Sequence, residues 1–346
     1  MTSAFWSLVL LVTVNTLVFH FMPRFSRPDI LFGVTVSEAF VAGAGRKLVS
    51  RYRAIVWSGA AGALAIGLLL RSLHNDSGRG AMLMPAVMAG SVVVAHVAWQ
   101  LARRKARAHA VPPSDVRVAS LVTRDTSLPG GTLFAVGPFA ILLATALIVY
   151  AYRNDAVDGR DTANPFAQLA LGAIFVTMML TMAVTMARRS RQIAADGPAA
   201  AAEHRFRRVN VLVPVLVAYA TAIVMSATTV ESIPAFGGIL SVRGWIVMLP
   251  LMLFGFGVNY WMFRVGQGGQ RAVAPAARRE VRGDATPDHA WIFGVYYVNP
   301  RDPAMWVENR FGLGYTLNFG NWRAWLLIIG MMLIPMFAGH LLSSGG

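Results

Sequence analysis

Eight stretches of the chain, roughly 4–22, 54–71, 82–101, 133–152, 165–187, 209–227, 243–264 and 324–342, are almost wholly apolar. Each has about the 20 residues that an α-helix needs to cross a bilayer. The second is rich in small residues (Gly59, Gly62, Gly67), and the last follows closely on a polar segment. The pattern predicts an all-α integral membrane protein of about eight transmembrane helices, with a small, part-strand cytoplasmic cap before the last of them.

Charge follows the same pattern. The segments 23–53, 102–132, 188–208 and 264–323 hold 26 of the 31 Lys and Arg residues, and the three intervening segments hold the other 5. Cytoplasmic loops carry the excess of basic residues. The alternation therefore predicts that the four basic segments are cytoplasmic and that both termini are outside. Trp6, Trp57, Trp99, Trp245, Trp261, Trp322 and Trp325 fall near the predicted helix ends, where amphipathic rings sit at the interface. The run Phe5–Phe21 lacks a basic leader and a small-residue cleavage site, so it is read as the first membrane helix.

Composition supports lipid as the solvent. The chain is 56% hydrophobic and 14% charged, with a mean hydropathy of +0.54, whereas soluble domains are roughly 25% charged. The net charge of +15 is dispersed among short loops rather than gathered in one patch, so no nucleic-acid partner is expected. Membrane lipids are the expected surroundings. Without cysteine, disulfides and thiolate sites are excluded.

The predicted organisation is a seven-helix membrane domain over 1–264, a flexible Ala/Arg/Gly-rich linker over 265–288, the cap over 289–323 and the last helix over 324–346. In the first cytoplasmic loop, Thr35 and Glu38 fit a capping box. Phe40, Val41, Ala44, Leu48 and Tyr52 then fall opposite Arg46, Lys47 and Arg53, which predicts an amphipathic interfacial helix over about 36–53. In the cap, Trp291–Val298 has strand-forming residues. Asn299-Pro300 and Asp302-Pro303 are turn formers, and Glu308 and Arg310 are candidates to pair. Tyr296, Tyr297, Asn299, Asp302, Trp306, Glu308, Arg310 and Asn318 form a candidate binding surface, or a plug over a cavity. Interfacial aromatics with turn chemistry are the plainer reading.

The pattern Tyr297-x-Asn299-Pro300-x-Asp302-Pro303, followed by Arg310-x-Gly312-x-Gly314-x-Thr316-x-Asn318-Phe319, resembles the C-terminal module of an uncharacterised family of bacterial multi-helix membrane proteins. Phe32-Gly33-Val34 and Arg51-Tyr52-Arg53 are similar to that family's N-terminal segment. The resemblance implies a bacterial cytoplasmic (inner) membrane protein, distantly related to the Sdp-type toxin-immunity and signalling proteins. The hallmark of those relatives is an extracytoplasmic Pro-x-His with a Gly-x-Pro-Asp. The corresponding loop here, Tyr152–Phe166, has neither, so the resemblance speaks to architecture more than to activity.

No Asp, Glu, Lys or Arg lies at the centre of a predicted span, which argues against an ion-driven pump. Milder polar residues remain. His20, His96, Gln100, Asn210 and Asn259 lie toward the cytoplasmic ends and form a candidate intramembrane cluster. Thr177, Thr181 and Thr185 make one stripe. Ordinary interhelical hydrogen bonding is the plainer explanation for both, and haem or metal ligation by His20 and His96 has no supporting motif. Asn154, Asp155, Asp158 and Asp161 could hold Ca²⁺ or form a solvated acidic loop. No phosphate-binding, dinucleotide or hydrolase motif is present. The expectation is a non-catalytic protein without cofactor or bound metal: a partner- or peptide-binding receptor, an immunity-type factor, or an accessory subunit of a membrane complex. The alternatives are a transporter or channel for a small or apolar solute gated by the cap, and a lipid-directed enzyme using His96.

Overall fold

Backbone amides and carbonyls surrounded by lipid have no water to bond, so apolar segments of this length satisfy themselves as helices. The helices are α1 (Ser3–Phe25), a short α2 (Glu38–Ala42), α3 (Ala44–His74), α4 (Gly78–Arg107), α5 (Gly131–Ala151), α6 (Pro165–Arg189), α7 (Gly197–Glu231), α8 (Gly244–Val265) and α9 (Trp322–Ser344). The computed structural model describes residues 3–74, 78–112, 126–152, 165–190, 197–231, 233, 236, 244–274 and 283–344. The predicted acidic loop with Asn154, Asp155, Asp158 and Asp161 lies outside these residues.

Each predicted span coincides with a long helix. Among the described residues, six helices (α1 and α3 to α7) contain stretches long and apolar enough to cross a membrane. Between 22% and 33% of each such stretch is buried within the chain. Leu10, Leu69, Leu133, Leu143 and Leu147 face outward. Water would penalise apolar faces of this extent, and a lipid environment does not.

The chain divides into two units, each assembled from separate stretches of sequence. One comprises residues 1–117, 265–297 and 308–314, and the other 118–264, 298–307 and 315–346. In the first unit α1, α3 and α4 pack together around Phe32, Tyr52 and Trp99. The Phe32 ring stands edge-on to Tyr52 at 5.1 Å and to Trp99 at 5.0 Å, and Phe311 meets Trp99 at 4.9 Å. In the second, α5, α6 and α7 enclose Leu142, Val149, Leu169, Val176, Ala218 and Ala222.

Both units contain a proline within a helix, and both repair the broken backbone in the same way. Proline has no N–H to give to the carbonyl four residues earlier. Pro23 in α1 therefore leaves the Phe19 carbonyl without its helical donor, and the Tyr52 hydroxyl of α3 donates to it at 2.9 Å. Pro138 in α5 does the same to Phe134, whose carbonyl accepts from the Tyr219 hydroxyl of α7 at 2.7 Å. Gly137 makes room for that tyrosine, since a Cβ there would overlap its hydroxyl.

The strands are short. β1 (Ile30–Leu31) pairs antiparallel with β2 (Val34–Thr35), and β3 (Trp291–Ile292) with β4 (Tyr296–Tyr297). β5 (Trp306–Glu308) pairs with β6 (Tyr315–Leu317). The first two hairpins turn on the same dipeptide. Phe32-Gly33 has φ +52° and +71°, and Phe293-Gly294 has +52° and +73°. Tight hairpins need such left-handed residues, although a phenylalanine there is strained. Burial of the Phe32 ring between Tyr52 and Trp99 holds its conformation.

Several boundaries differ from the sequence reading. The amphipathic segment expected over 36–53 is two elements. α2 starts at Ser37, whose hydroxyl accepts from the Phe40 amide, and ends at Gly43. The basic stretch from Ala44 onward is the first part of α3, which runs unbroken into the apolar span. Thr35 does not form the capping box, because its hydroxyl donates to Asp288 instead. The linker expected over 265–288 is built into the fold at both ends, with Gln267, Gln270, Asp284 and Thr286 buried. The cap is shared between the two units rather than standing as one module.

Two tests follow from this packing. Tyr52→Phe and Tyr219→Phe should each orphan a helical carbonyl and cost about 1–2 kcal/mol, read as a lower melting temperature in detergent. Among the small residues of α3, Gly59 lies against Val94, which an added Cβ would meet at 2.6 Å, whereas Gly62 has open space around it. Gly59→Leu should therefore impair assembly and Gly62→Leu should not, a contrast that melting and expression level can check.

Candidate functional site

Among the described residues, three arginines are buried in the first unit. Arg27 follows α1, Arg103 lies in the last turns of α4, and Arg310 lies beyond β5. A buried guanidinium is tolerated only when its charge and its donors find partners. Arg27 makes a bidentate pair with Glu308, Nε to Oε2 at 2.7 Å and Nη2 to Oε1 at 3.0 Å, and donates through Nη1 to the Gly283 carbonyl at 3.1 Å. A Cβ at Gly268 would strike Glu308 Oε1 at 2.5 Å, so only glycine admits this pair.

Arg310 is 1% exposed and pairs bidentately with Asp284 at 2.7 Å through both Nε and Nη2. Its Nη1 donates to Asp288 at 2.6 Å and to the Gly33 carbonyl at 3.0 Å. Its Nη2 also donates to the Thr286 carbonyl at 2.9 Å, and the guanidinium lies 5.0 Å from the centre of the Trp291 ring. Trp291 in turn donates its indole N–H to Thr286 Oγ1 at 2.8 Å.

Arg103 has no carboxylate in hydrogen-bond contact. Its Nη1 donates to the Phe32 and Gly33 carbonyls at 3.3 and 2.9 Å, and its Nη2 to the Trp291 carbonyl at 2.9 Å. A Cβ at Gly294 would come within 2.1 Å of Arg103 Nη1. The two Phe-Gly turns thus close around one guanidinium, and their glycines are required by proximity as well as by φ. Glu308 and Arg310, expected to pair with each other, take different partners. Residues two apart share a face only while a strand continues; this one ends at Glu308, and Arg310 beyond it turns toward Asp284.

Burial alone would raise the Asp284 carboxyl. The Arg310 charge, with hydrogen bonds from Arg310 and Thr286, outweighs that and holds it below the ordinary carboxylate range. Burial would lower the Arg310 guanidinium, and Asp284 and then Asp288 raise it above its ordinary value.

In the second unit the hub of the cap is Asn318, which is 0% exposed. Its amide N–H groups donate to the Asn299, Asp302 and Ala304 carbonyls at 2.9, 3.2 and 3.2 Å. Its oxygen accepts from the Asn299 and Gly320 amides, both at 3.0 Å. Asp302 caps its own turn by accepting from the Ala304 amide. Trp306 is buried and donates to Thr185 Oγ1 at 3.3 Å. Tyr297 is fully buried in the first unit. Of the predicted surface residues, Tyr296 is the outward-facing one at 50% exposed, and Asn299 is half-buried.

The intramembrane polar residues divide between the units. In the first, His96 and Gln100 are one helical turn apart at 3.4 Å, and Gln100 donates to the Phe293 carbonyl at 3.0 Å. His20 accepts from the Trp57 indole at 3.1 Å. In the second, Asn210 and Asn259 donate to carbonyls of their own helices, Phe206 and Gly255. Thr177, Thr181 and Thr185 likewise donate to α6 carbonyls rather than across to a neighbouring helix. Among the described residues no three His, Asp or Glu side chains gather as metal ligands would. The sequence reading missed Arg27, Arg103, Asp284 and Asp288. Their signal was the isolated charge beside Phe-Gly or turn residues, which is weak in a basic loop.

The arginine network makes a test with a definite sign. Arg310→Met leaves Asp284 buried and unpaired, at a cost of about 3–5 kcal/mol. A carboxyl held below its unfolded value, about 3.9, stabilises the fold above that pH and loses the contribution as pH falls toward the folded value. The raised guanidinium contributes below its own unfolded value, so its loss lies at extreme alkali. Amide exchange over 283–297, corrected for intrinsic rates, should therefore stay slow down to about pH 4 and accelerate below it. In Arg310→Met it should be fast at neutral pH.

Residues 300–325 match the model of a family of unknown function (DUF5808). That segment includes the Arg310–Phe319 motif, and the match agrees with a resemblance to an uncharacterised family. No curated protein and no solved structure matches the chain.

Proposed function

We propose that this chain is a non-catalytic, multi-pass membrane protein that binds a protein or peptide partner at the cytoplasmic face, as a receptor, an immunity-type factor or an accessory subunit. In this reading all eight long helices cross a bacterial inner membrane, with both termini outside and the cap in the cytoplasm. One observation carries the proposal. The charged side chains of the cap in the first unit are consumed in fastening it: Glu308 to Arg27 after α1, and Asp284 and Asp288 to Arg310, with Arg103 of α4 bound to both Phe-Gly turns.

Groups held in this way are not free to take or give protons in a reaction. A gate would have to break them. Separating Arg27 from Glu308, or Arg310 from its two carboxylates, exposes buried charge at about 3–5 kcal/mol for each pair. A fixed platform is the cheaper use of such a network, which favours docking over a cap-gated transporter. The platform carries an apolar edge on the β3–β4 hairpin, where Ile292, Phe293 and Tyr296 are 48%, 60% and 50% exposed. Exposed aromatic side chains held on a rigid turn are what a protein partner uses as anchors.

Extraction of the tagged protein from its host in mild detergent, followed by intact-complex mass spectrometry, should reveal a stoichiometric protein or peptide. Phe293→Glu with Tyr296→Glu should remove that partner and leave the melting temperature unchanged. A bare protein that supports solute flux in liposomes, with the flux altered by breaking the Arg27–Glu308 pair, would favour the gated transporter instead.

A further inference from the structure

A cavity of about 410 Å³ lies within the second unit, between α6 and α9. That is within the size of pockets that hold small molecules. Its α6 wall is Thr177, Met178, Thr181 and Thr185, and its α9 wall includes Leu326, Leu327, Gly330 and Met331. Arg189, the last residue of α6, Arg323, in the first turn of α9, and Met305 complete the lining. No acidic side chain takes part.

The two ends of this cavity differ in chemistry. The threonine hydroxyls already donate their protons to α6 carbonyls, so that wall offers no free threonine donor and is otherwise apolar, with Met178, Leu326 and Met331. From Arg189 back to Thr177 is twelve residues of helix, a depth of about 18 Å. Half of a bilayer's hydrocarbon core is about 15 Å. At the other end the guanidinium of Arg323 rests on the Trp322 ring, 5.1 Å from its centre. A cation in the first turn of a helix is disfavoured by the helix dipole, so Arg323 does not serve α9 itself. The first amides of α9 are already held by Asn321, which accepts from the Arg323 and Ala324 N–H groups, so an anion beside Arg323 would be held by the two guanidinium groups.

We infer that this cavity is a site for one anionic phospholipid, with its phosphate between Arg189 and Arg323 and an acyl chain along the Thr177–Thr181 wall. The inference rests on the membrane-spanning reading above, and extends it by naming a ligand class. Charge complementarity selects the anionic headgroup. Basic residues at the headgroup level attract such lipids by about one factor of five per residue.

The test uses the full chain purified in detergent, titrated with dioleoyl phosphatidylglycerol, dioleoyl phosphatidylcholine or glycerol phosphate, with melting temperature and native mass spectrometry as readouts. Phosphatidylglycerol should stabilise the protein and remain bound one to one. Phosphatidylcholine and glycerol phosphate should do neither. Arg189→Gln with Arg323→Gln should weaken phosphatidylglycerol binding roughly 30-fold, while Arg301→Gln, an exposed arginine outside the cavity, should leave it unchanged. Thr181→Trp, which fills the tail path, should weaken it with both arginines intact. Equal binding of the two phospholipids, or indifference to the arginine pair, overturns the inference. Binding of glycerol phosphate alone overturns it too, since it identifies a free anion rather than a lipid. Failure of the membrane reading itself appears separately, as protein recovered in the soluble fraction before any lipid is added.

Discussion

Three guanidinium groups removed from water set the terms for the first unit. Arg27, Arg103 and Arg310 bring three positive charges inside, Glu308 and Asp284 bring two negative ones, and Asp288 adds a third from the partly exposed edge. Left without hydrogen-bond partners, any one of the buried charges would cost more than a small unit can spare. Their partners come from distant parts of the chain: a loop after α1, the end of α4, and two segments beyond residue 280. Closing those contacts draws the two Phe-Gly hairpins together and seats Phe311 against Trp99. The same geometry demands glycine at 33, 268 and 294, where any Cβ would intrude on a guanidinium or its carboxylate.

The helices answer to a different constraint. In lipid the cost falls on unsatisfied backbone rather than on exposed apolar side chains. Proline within α1 and α5 creates such a vacancy, and a tyrosine from the adjacent helix fills each one. Between them, these two rules account for the residues that look most chemical in the sequence. Tyr52, Tyr219, Arg27, Arg103, Arg310, Asp284 and Glu308 are engaged with backbone carbonyls or with each other. Alongside exposed basic residues such as Arg46, Arg51, Arg104 and Arg301, the outward face carries apolar features: the β3–β4 edge, the helix faces and the α6–α9 cavity with its arginine rim.

Much of the architecture was legible in the sequence because hydropathy acts locally. A run such as 133–152 is apolar whatever surrounds it, and its helix follows from its own backbone. The motif Asn299-Pro300-x-Asp302-Pro303 was likewise a set of turns on its face, and the structure has Asp302 and Asn318 bonding those turns. Long-range pairing was not legible. Glu308 and Arg310, two residues apart, were natural partners along the chain, yet Arg27 and Asp284 claimed them. Nothing in the spacing of 27 and 308 announces a contact, because a charge pair carries no periodicity.

By itself, then, the sequence determined where the chain is helical, where its basic residues alternate and which segment is not membrane-like, since these depend on the local balance of apolar and polar side chains. The tertiary structure decided what the charged and aromatic residues are for. Burial makes polar partners obligatory, carboxylates for Arg27 and Arg310 and carbonyls for Arg103, and which residues become buried is a property of how separated segments meet. It also decided that Thr177, Thr181 and Thr185 line a cavity instead of bridging helices. That outcome depends on where α9 lies against α6, and the stripe alone does not encode it.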